Sequence, residues 1–378
     1  MTSRERVIKS INHQPIDRMP IDLGMHNSTG ISAFAYWNLR EHLGLSTDDI
    51  KIPDMVQFLA RVDDDILQRF HCDCMMLQAP WSHEAKWNPR GNYKFNIPST
   101  AQPVLRSDGS WVVEKSGQTM RMPKDGFFFD GGWPGFSELD EAAQFRATVA
   151  EAERIFKETN YFTTYIGYHA YFCCDNMDWQ CNMIVDPDLI LAENDRIHEA
   201  QIASVSHVIN QMGGYVQAVA LNSDLGSQRG PLVNPALYQD LCAPYVKKFC
   251  DFVHQNSDLK TFLHCCGSMK PLIPTLIDCG IDIINPVQIS ADNMNPADLK
   301  REFGKEITFW GGGCDKQNVL STGSVDDVKQ NVKDLVSVFK PGGGFVFNQV
   351  HNIMGNVPPE NIVAMLDTAY EESFKELD

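Results

Sequence analysis

The sequence predicts an α/β fold: a (β/α)8 TIM barrel with a β-hairpin insertion in the N-terminal half. Three observations carry this. The second half alternates short β-rich runs with helically spaced stretches over short connections, which implies a parallel sheet. The number of these units suits a closed barrel better than an open doubly wound sheet. No Gly-x-Gly-x-x-Gly fingerprint opens a helix, since Gly311-Gly312-Gly313 and Gly342-Gly343-Gly344 are wrongly spaced; a dinucleotide cofactor is not expected.

Taken in order, a helix from Ser3 to Asn12 precedes an early strand, Arg18 to Gly24, and a second from Cys74 to Gln78. Residues 85–130 break the rhythm with short alternating runs joined by Asp108-Gly109 and Ser116-Gly117, the pattern of a β-hairpin insertion. Tyr161 to Gly167 returns to barrel strands, and Tyr215 to Leu221 follows. Pro235 to His254 has helical spacing at Leu237, Leu241, Tyr245, Phe249 and Phe252, with Asn234 as its cap. Strand 260–264, a helix around 269–279, strand 281–287, a helix around 296–303 and strand 307–311 come next. Ser324 caps a helix over 325–338, strand 344–347 follows, and a helix from Pro358 to Glu376 with proline in its first turn ends the chain. No linker or internal repeat divides the sequence, so residues 1–378 read as one domain.

Of the 378 residues, 43% are hydrophobic, enough for a core that needs no staples. The net charge of −17 argues against nucleic acid or an anionic membrane as partner. Met1 to Arg6 lacks the apolar core of a signal peptide, and no run is long enough to span a bilayer. With eleven cysteines, a reducing cytoplasmic setting is expected.

Functional side chains of such barrels lie at the C-terminal ends of the strands. There the sequence places Asn222 and Asp224, His264 and Cys266, Gln288, Cys314, and then Asn348 and His351. Residues two apart on a strand face the same side, so His264 and Cys266 point together and Cys265 points away. Taken singly, each cysteine fits an ordinary buried thiol. Two thiolates and one imidazole together at strand ends suit Zn²⁺ and leave a fourth position open, for water, a carboxylate such as Glu84, or substrate. Cys72 and Cys74 read better as a buried strand edge, and Cys173, Cys174 and Cys181 as a loop cluster. His26, Asn27 and Ser28 follow the first strand and line the same mouth; His26 and Asn27, with Asn222, Gln288 and Asn348, are the candidate substrate contacts. Asp224 and His351 are the candidate catalytic groups.

At these motifs, and at Asn12-His13-Gln14-Pro15-Ile16-Asp17-Arg18-Met19-Pro20, Asp224-Leu225-Gly226-Ser227-Gln228, Asn285-Pro286-Val287-Gln288 and Pro358-Pro359-Glu360-Asn361-Ile362, the chain resembles the uroporphyrinogen decarboxylase superfamily of (β/α)8 barrels. The resemblance runs from about Ser3 to the last helix. Decarboxylases of that superfamily hold four substrate acetates with arginines in the loop after the first strand; here Gly24-Met25-His26-Asn27-Ser28-Thr29-Gly30 has none. The chain looks more like the zinc-dependent methyltransferase branch, which includes coenzyme M methyltransferases and the methyltransferase components of O-demethylase systems. This resemblance implies zinc on His264, Cys266 and Cys314, and a methyl group moved from a methoxylated aromatic substrate to a corrinoid. The corrinoid would belong to a separate partner protein, since the chain has no Asp-x-His-x-x-Gly motif. Expected partners are a small-molecule methyl donor or acceptor, the corrinoid protein and a second copy of the chain. The alternatives are methyl transfer from a corrinoid protein to a zinc-bound thiol, a metal-free decarboxylase using Asp224 and His351, and a non-catalytic binding barrel.

Overall fold

The computed structural model describes residues 1–79 and 84–375; the side chain of Glu84 lies outside that description. Six parallel strands are hydrogen-bonded in chain order: Thr164–His169, Ala218–Asn222, Lys260–His264, Ile283–Asn285, Thr308–Trp310 and Phe345–Val346. Two shorter staves complete the ring. Ile21 bridges Phe347 and Cys74 bridges Phe162, both in parallel. Asp22 N–H donates to the Phe347 carbonyl (2.9 Å), Asp73 N–H to Ile21 (2.7 Å) and Met75 N–H to Phe162 (2.9 Å). The barrel is therefore closed, and the early strands are narrower than their apolar runs predict. Pro20 has no N–H to give to the ladder, which shortens the first of them.

Phe262, Ala218, Ala220, Phe162, Ile283, Trp310 and Val346 fill the barrel interior as one buried cluster. The two-residue period of the strands sets this: Phe262 points in, so His264 does too. The helix Ser3–Ile11 starts with a capping box between Thr2 and Glu5, and its Val7 and Ile11 join the same interior cluster. Ser10 Oγ donates to the Phe345 carbonyl (2.8 Å), fixing that helix under the sheet.

The predicted helix over 235–254 is two helices, Pro235–Leu241 and Ala243–Asn256. Pro244 explains the break: it lacks an N–H, and its ring would strike the carbonyl of Asp240. The insertion is larger than one hairpin. Glu84–Trp87 and Phe95–Pro98 pair antiparallel, with Ile50–Lys51 added in parallel. Val104–Leu105, Trp111–Lys115, Gln118–Met122 and Asp130–Gly131 make a separate antiparallel sheet. Its central turn has Ser116 and Gly117 both at positive φ, as a tight two-residue hairpin requires. The last helix, Pro359–Ser373, ends before the predicted Glu376, which lies outside the described residues. Among the described residues no helix is long and apolar enough to cross a membrane.

Candidate metal centre

Register builds the site. His264 pairs with Asn222 on one neighbouring strand and with Asn285 on the other. Just past the strand end, Cys266 N–H donates to Asp224 Oδ1 (2.8 Å), while Leu225 N–H donates to Cys265 Sγ (3.2 Å). The second bond holds Cys265 away from the mouth, buried, as the strand period predicts. Among the described residues, the ligand atoms of His264, Cys266 and His351 all lie within 4.8 Å of one another, each side chain half-buried.

His264 Nε2 stands 3.6 Å from Cys266 Sγ. A tetrahedral zinc with bonds of about 2.3 Å to sulfur and about 2.05 Å to nitrogen spaces its donor atoms about 3.6 Å apart. The pair therefore fits that ion without adjustment. Asp224 Oδ1 lies 3.8 Å from the same nitrogen. Burial pushes the Cys266 thiol up, and the Asp224 carboxylate pushes it the same way. Burial likewise raises the Cys314 thiol, with Asp315 adding to it. Neither ionises unaided at neutral pH; a divalent cation is what would turn such thiols into thiolates. Burial also lowers His351, to about 3, with His264 and Lys316 acting in the same direction.

Cys314 is fully buried in the core, and its carbonyl accepts from Val350 N–H (3.0 Å), so it sits against the loop that carries His351. It does not belong to the group within 4.8 Å. The run of glycines before it serves close approach: a Cβ on Gly311 would lie 2.2 Å from the Pro286 carbonyl oxygen, and one on Gly313 would lie 2.5 Å from the Phe347 ring.

The other predicted residues divide into neighbours of His264 and residues that hold loops. His26 is buried, with its ring 5.5 Å from that of His264. Asn222 is beside His264 in register. Gln288 bridges two loops, accepting from Gly267 N–H (2.9 Å) and donating to Gln228 (2.9 Å). Asn348 is fully buried and donates to the Asp22 carbonyl (3.1 Å). Asn27 turns to Asp54 (3.3 Å). Cys72 and Cys74 are buried in the core, and Cys173 Sγ faces Asp175 (3.4 Å); none of the three joins the metal-spaced group.

Sequence reasoning missed the roles of Asn285 and Lys316, and named Ser28 only as lining the mouth. Asn285 Oδ1 receives both His264 Nδ1 (3.0 Å) and Ser28 Oγ (2.5 Å). Lys316 is partly buried and its charge acts on both Cys266 and His351; among the described residues no carboxylate pairs with it. The signal for Asn285 was a polar residue ending a strand next to that of His264.

The profile of the uroporphyrinogen decarboxylase (URO-D) family matches residues 182–372. The uroporphyrinogen decarboxylase of Synechocystis sp. (strain ATCC 27184 / PCC 6803 / Kazusa) is 26% identical over 187 residues, 49% of this chain and 48% of that protein. That of Pseudoalteromonas translucida (strain TAC 125) is 23% identical over 192 residues, 50% of this chain and 51% of its own. The chain thus spans about half the length of the curated relatives it matches. A solved methyltransferase from Methanosarcina mazei has a similar fold over 98% of this chain and 99% of its own, with a TM-score of 0.60 and 16% identity.

Proposed function

The chain belongs to the uroporphyrinogen decarboxylase family, and from that premise we propose that it is a zinc-dependent methyltransferase, taking a methyl group from a methoxylated aromatic substrate and passing it to a corrinoid on a separate protein. The observation that carries the reading is the 3.6 Å spacing of His264 Nε2 and Cys266 Sγ at the barrel mouth. The Methanosarcina protein of like fold is itself a methyltransferase, which agrees with it.

His264, Cys266 and Cys314 would hold the zinc, which when bound supplies a Lewis acid for the ether oxygen. A reduced corrinoid on the partner protein would supply the methyl acceptor, and cleavage of the methyl–oxygen bond would leave its electron pair on the oxygen held at this mouth. His351, neutral with its pKa held down to about 3, would donate a ring N–H hydrogen bond to that oxygen and so stabilise the charge that develops there. Asp224 keeps Cys266 in place through its N–H. A second reading rests on the donor set: two thiolates weaken zinc as a Lewis acid, which favours binding a thiol as thiolate and methylating it from the corrinoid.

Metal analysis of protein purified without added zinc tests the core of this reading. About one zinc per chain is expected, lost in Cys266→Ala and Cys314→Ala and kept in Cys74→Ala. Absent metal together with dispensable thiols would sink it. Assays with methoxylated aromatics plus reduced corrinoid protein, against methylated corrinoid plus a thiol, then decide the direction.

A further inference from the structure

The two histidines of the site are pinned by opposite kinds of partner. Asn285 Nδ2 donates to the Trp310 carbonyl (2.9 Å), which fixes the orientation of the amide and turns Oδ1 toward His264 Nδ1 (3.0 Å). Reversing the amide would set oxygen against oxygen at Trp310. An amide oxygen only accepts, so the neutral His264 ring carries its proton on Nδ1 and presents a bare lone pair at Nε2. His351 is the reverse. Asn352 N–H donates to His351 Nδ1 (2.8 Å). A backbone N–H only donates, so Nδ1 is bare and the neutral ring carries its proton on Nε2.

The turn that imposes this is held from several sides. His351 has a left-handed backbone (φ +60°), unusual for a residue other than glycine, and Gln349 Nε2 donates to its carbonyl (2.8 Å). Asn352 ties the turn to the loop after the first stave: it accepts from Gly30 N–H (2.7 Å) and donates to the Asn27 carbonyl (2.8 Å) and to Gln57 (2.8 Å). The His351 ring then crosses that of His264 edge-on, 5.7 Å between centroids.

We propose that Asn285 and the Asn352 backbone select opposite tautomers, so that His264 is a metal ligand and His351, although a donor atom of its ring also lies within 4.8 Å of the other two, is an N–H donor. Asn285 is then a positioning residue acting through His264. The third protein ligand must then come from elsewhere, the part that the zinc reading above gives to Cys314. The substrate class narrows too. An N–H beside the open position favours a methyl-bearing oxygen or sulfur with a lone pair to accept from it, and disfavours a quaternary ammonium, which has none. The ion's identity rests on the zinc reading above; the tautomers rest on hydrogen bonds alone.

Long-range ¹H–¹⁵N spectra of histidine-labelled, metal-stripped protein, at a pH above the histidine range, read both tautomers directly, with His264→Gln and His351→Gln spectra giving the assignments. Protonated Nδ1 on His264 and protonated Nε2 on His351 are expected; the same tautomer on both overturns the proposal. In Asn285→Leu the His264 bias should vanish and zinc affinity fall at least 10-fold, whereas Asn285→Asp, which still accepts, should keep both. If the leucine variant does not fold, the aspartate variant and the wild-type spectra still decide. His351→Gln should bind zinc within about twofold of wild type; a 10-fold or greater loss makes His351 a ligand and ends the proposal. A wild-type protein with the expected tautomers and no affinity for zinc would instead defeat the zinc reading alone.

Discussion

Asp22 shows how one buried group can set the pH response of the barrel. It is fully buried, receives Trp310 Nε1–H (2.9 Å) and Met25 N–H (3.0 Å), and still has its pKa raised to about 6, because loss of water outweighs those donors. A raised acid makes the native state bind more protons than the unfolded one. Its contribution to stability is therefore intact below the ordinary carboxylate value and lost as pH rises through about 6. The shift amounts to about 3 kcal/mol at 1.36 kcal/mol per unit. Asp22→Asn carries no charge, so urea unfolding should show the variant gaining on wild type by up to that amount between pH 4 and 7. A difference independent of pH would contradict this. Legibility at this scale follows spacing. His264 and Cys266 can be paired from the sequence because a strand repeats every two residues. Asn285 cannot, because its role depends on which strand lies alongside and on the Trp310 carbonyl that orients its amide.

At the scale of elements, a buried ion network fastens the first helix to the first two staves. Asp73 is fully buried and binds Arg6 Nη1 (2.6 Å), Arg18 Nη1 (2.8 Å) and the N–H of Ile21 (2.9 Å). Arg6 also holds Asp17 (2.7 Å). Removing the shared anion leaves the Arg18 guanidinium in the interior without a carboxylate and Arg6 with Asp17 alone, the situation in which breaking a buried pair costs most. Asp73→Asn should lower unfolding free energy by about 3–5 kcal/mol in denaturant titrations, with zinc content per folded chain unchanged. A loss under 1 kcal/mol would show that the network contributes little. The sequence made Cys72-Asp73-Cys74 legible as a buried strand edge through its apolar neighbours; the partners of Asp73 lie 55 and 67 residues away and leave no local trace. The helix over 235–254 failed for a different reason. Its apolar period continues smoothly across Cys242, and only the backbone chemistry of Pro244 interrupts it.

At the scale of the molecule, family and activity separate. The uroporphyrinogen decarboxylase relatives share the barrel, and a substrate with four acetates needs cations at the mouth. Here the loop of residues 24–30 folds inward: Gly24 N–H donates to Thr29 (2.8 Å), Thr29 N–H to His26 (2.9 Å), and His26, Ser28 and Thr29 are buried. The loop has no arginine, and burial holds His26 well below its usual range, so it is neutral. Added to a net charge of −17, this leaves a tetra-anionic ligand facing repulsion at long range and no counter-charge from this loop. A methoxylated aromatic would escape both penalties, since its reacting end is uncharged. Purified protein incubated with uroporphyrinogen should accordingly release no decarboxylated product, scored by chromatography of the oxidised porphyrins. Turnover at a rate comparable with the relatives would mean that cations reach the mouth from another loop, and the decarboxylase reading would replace methyl transfer.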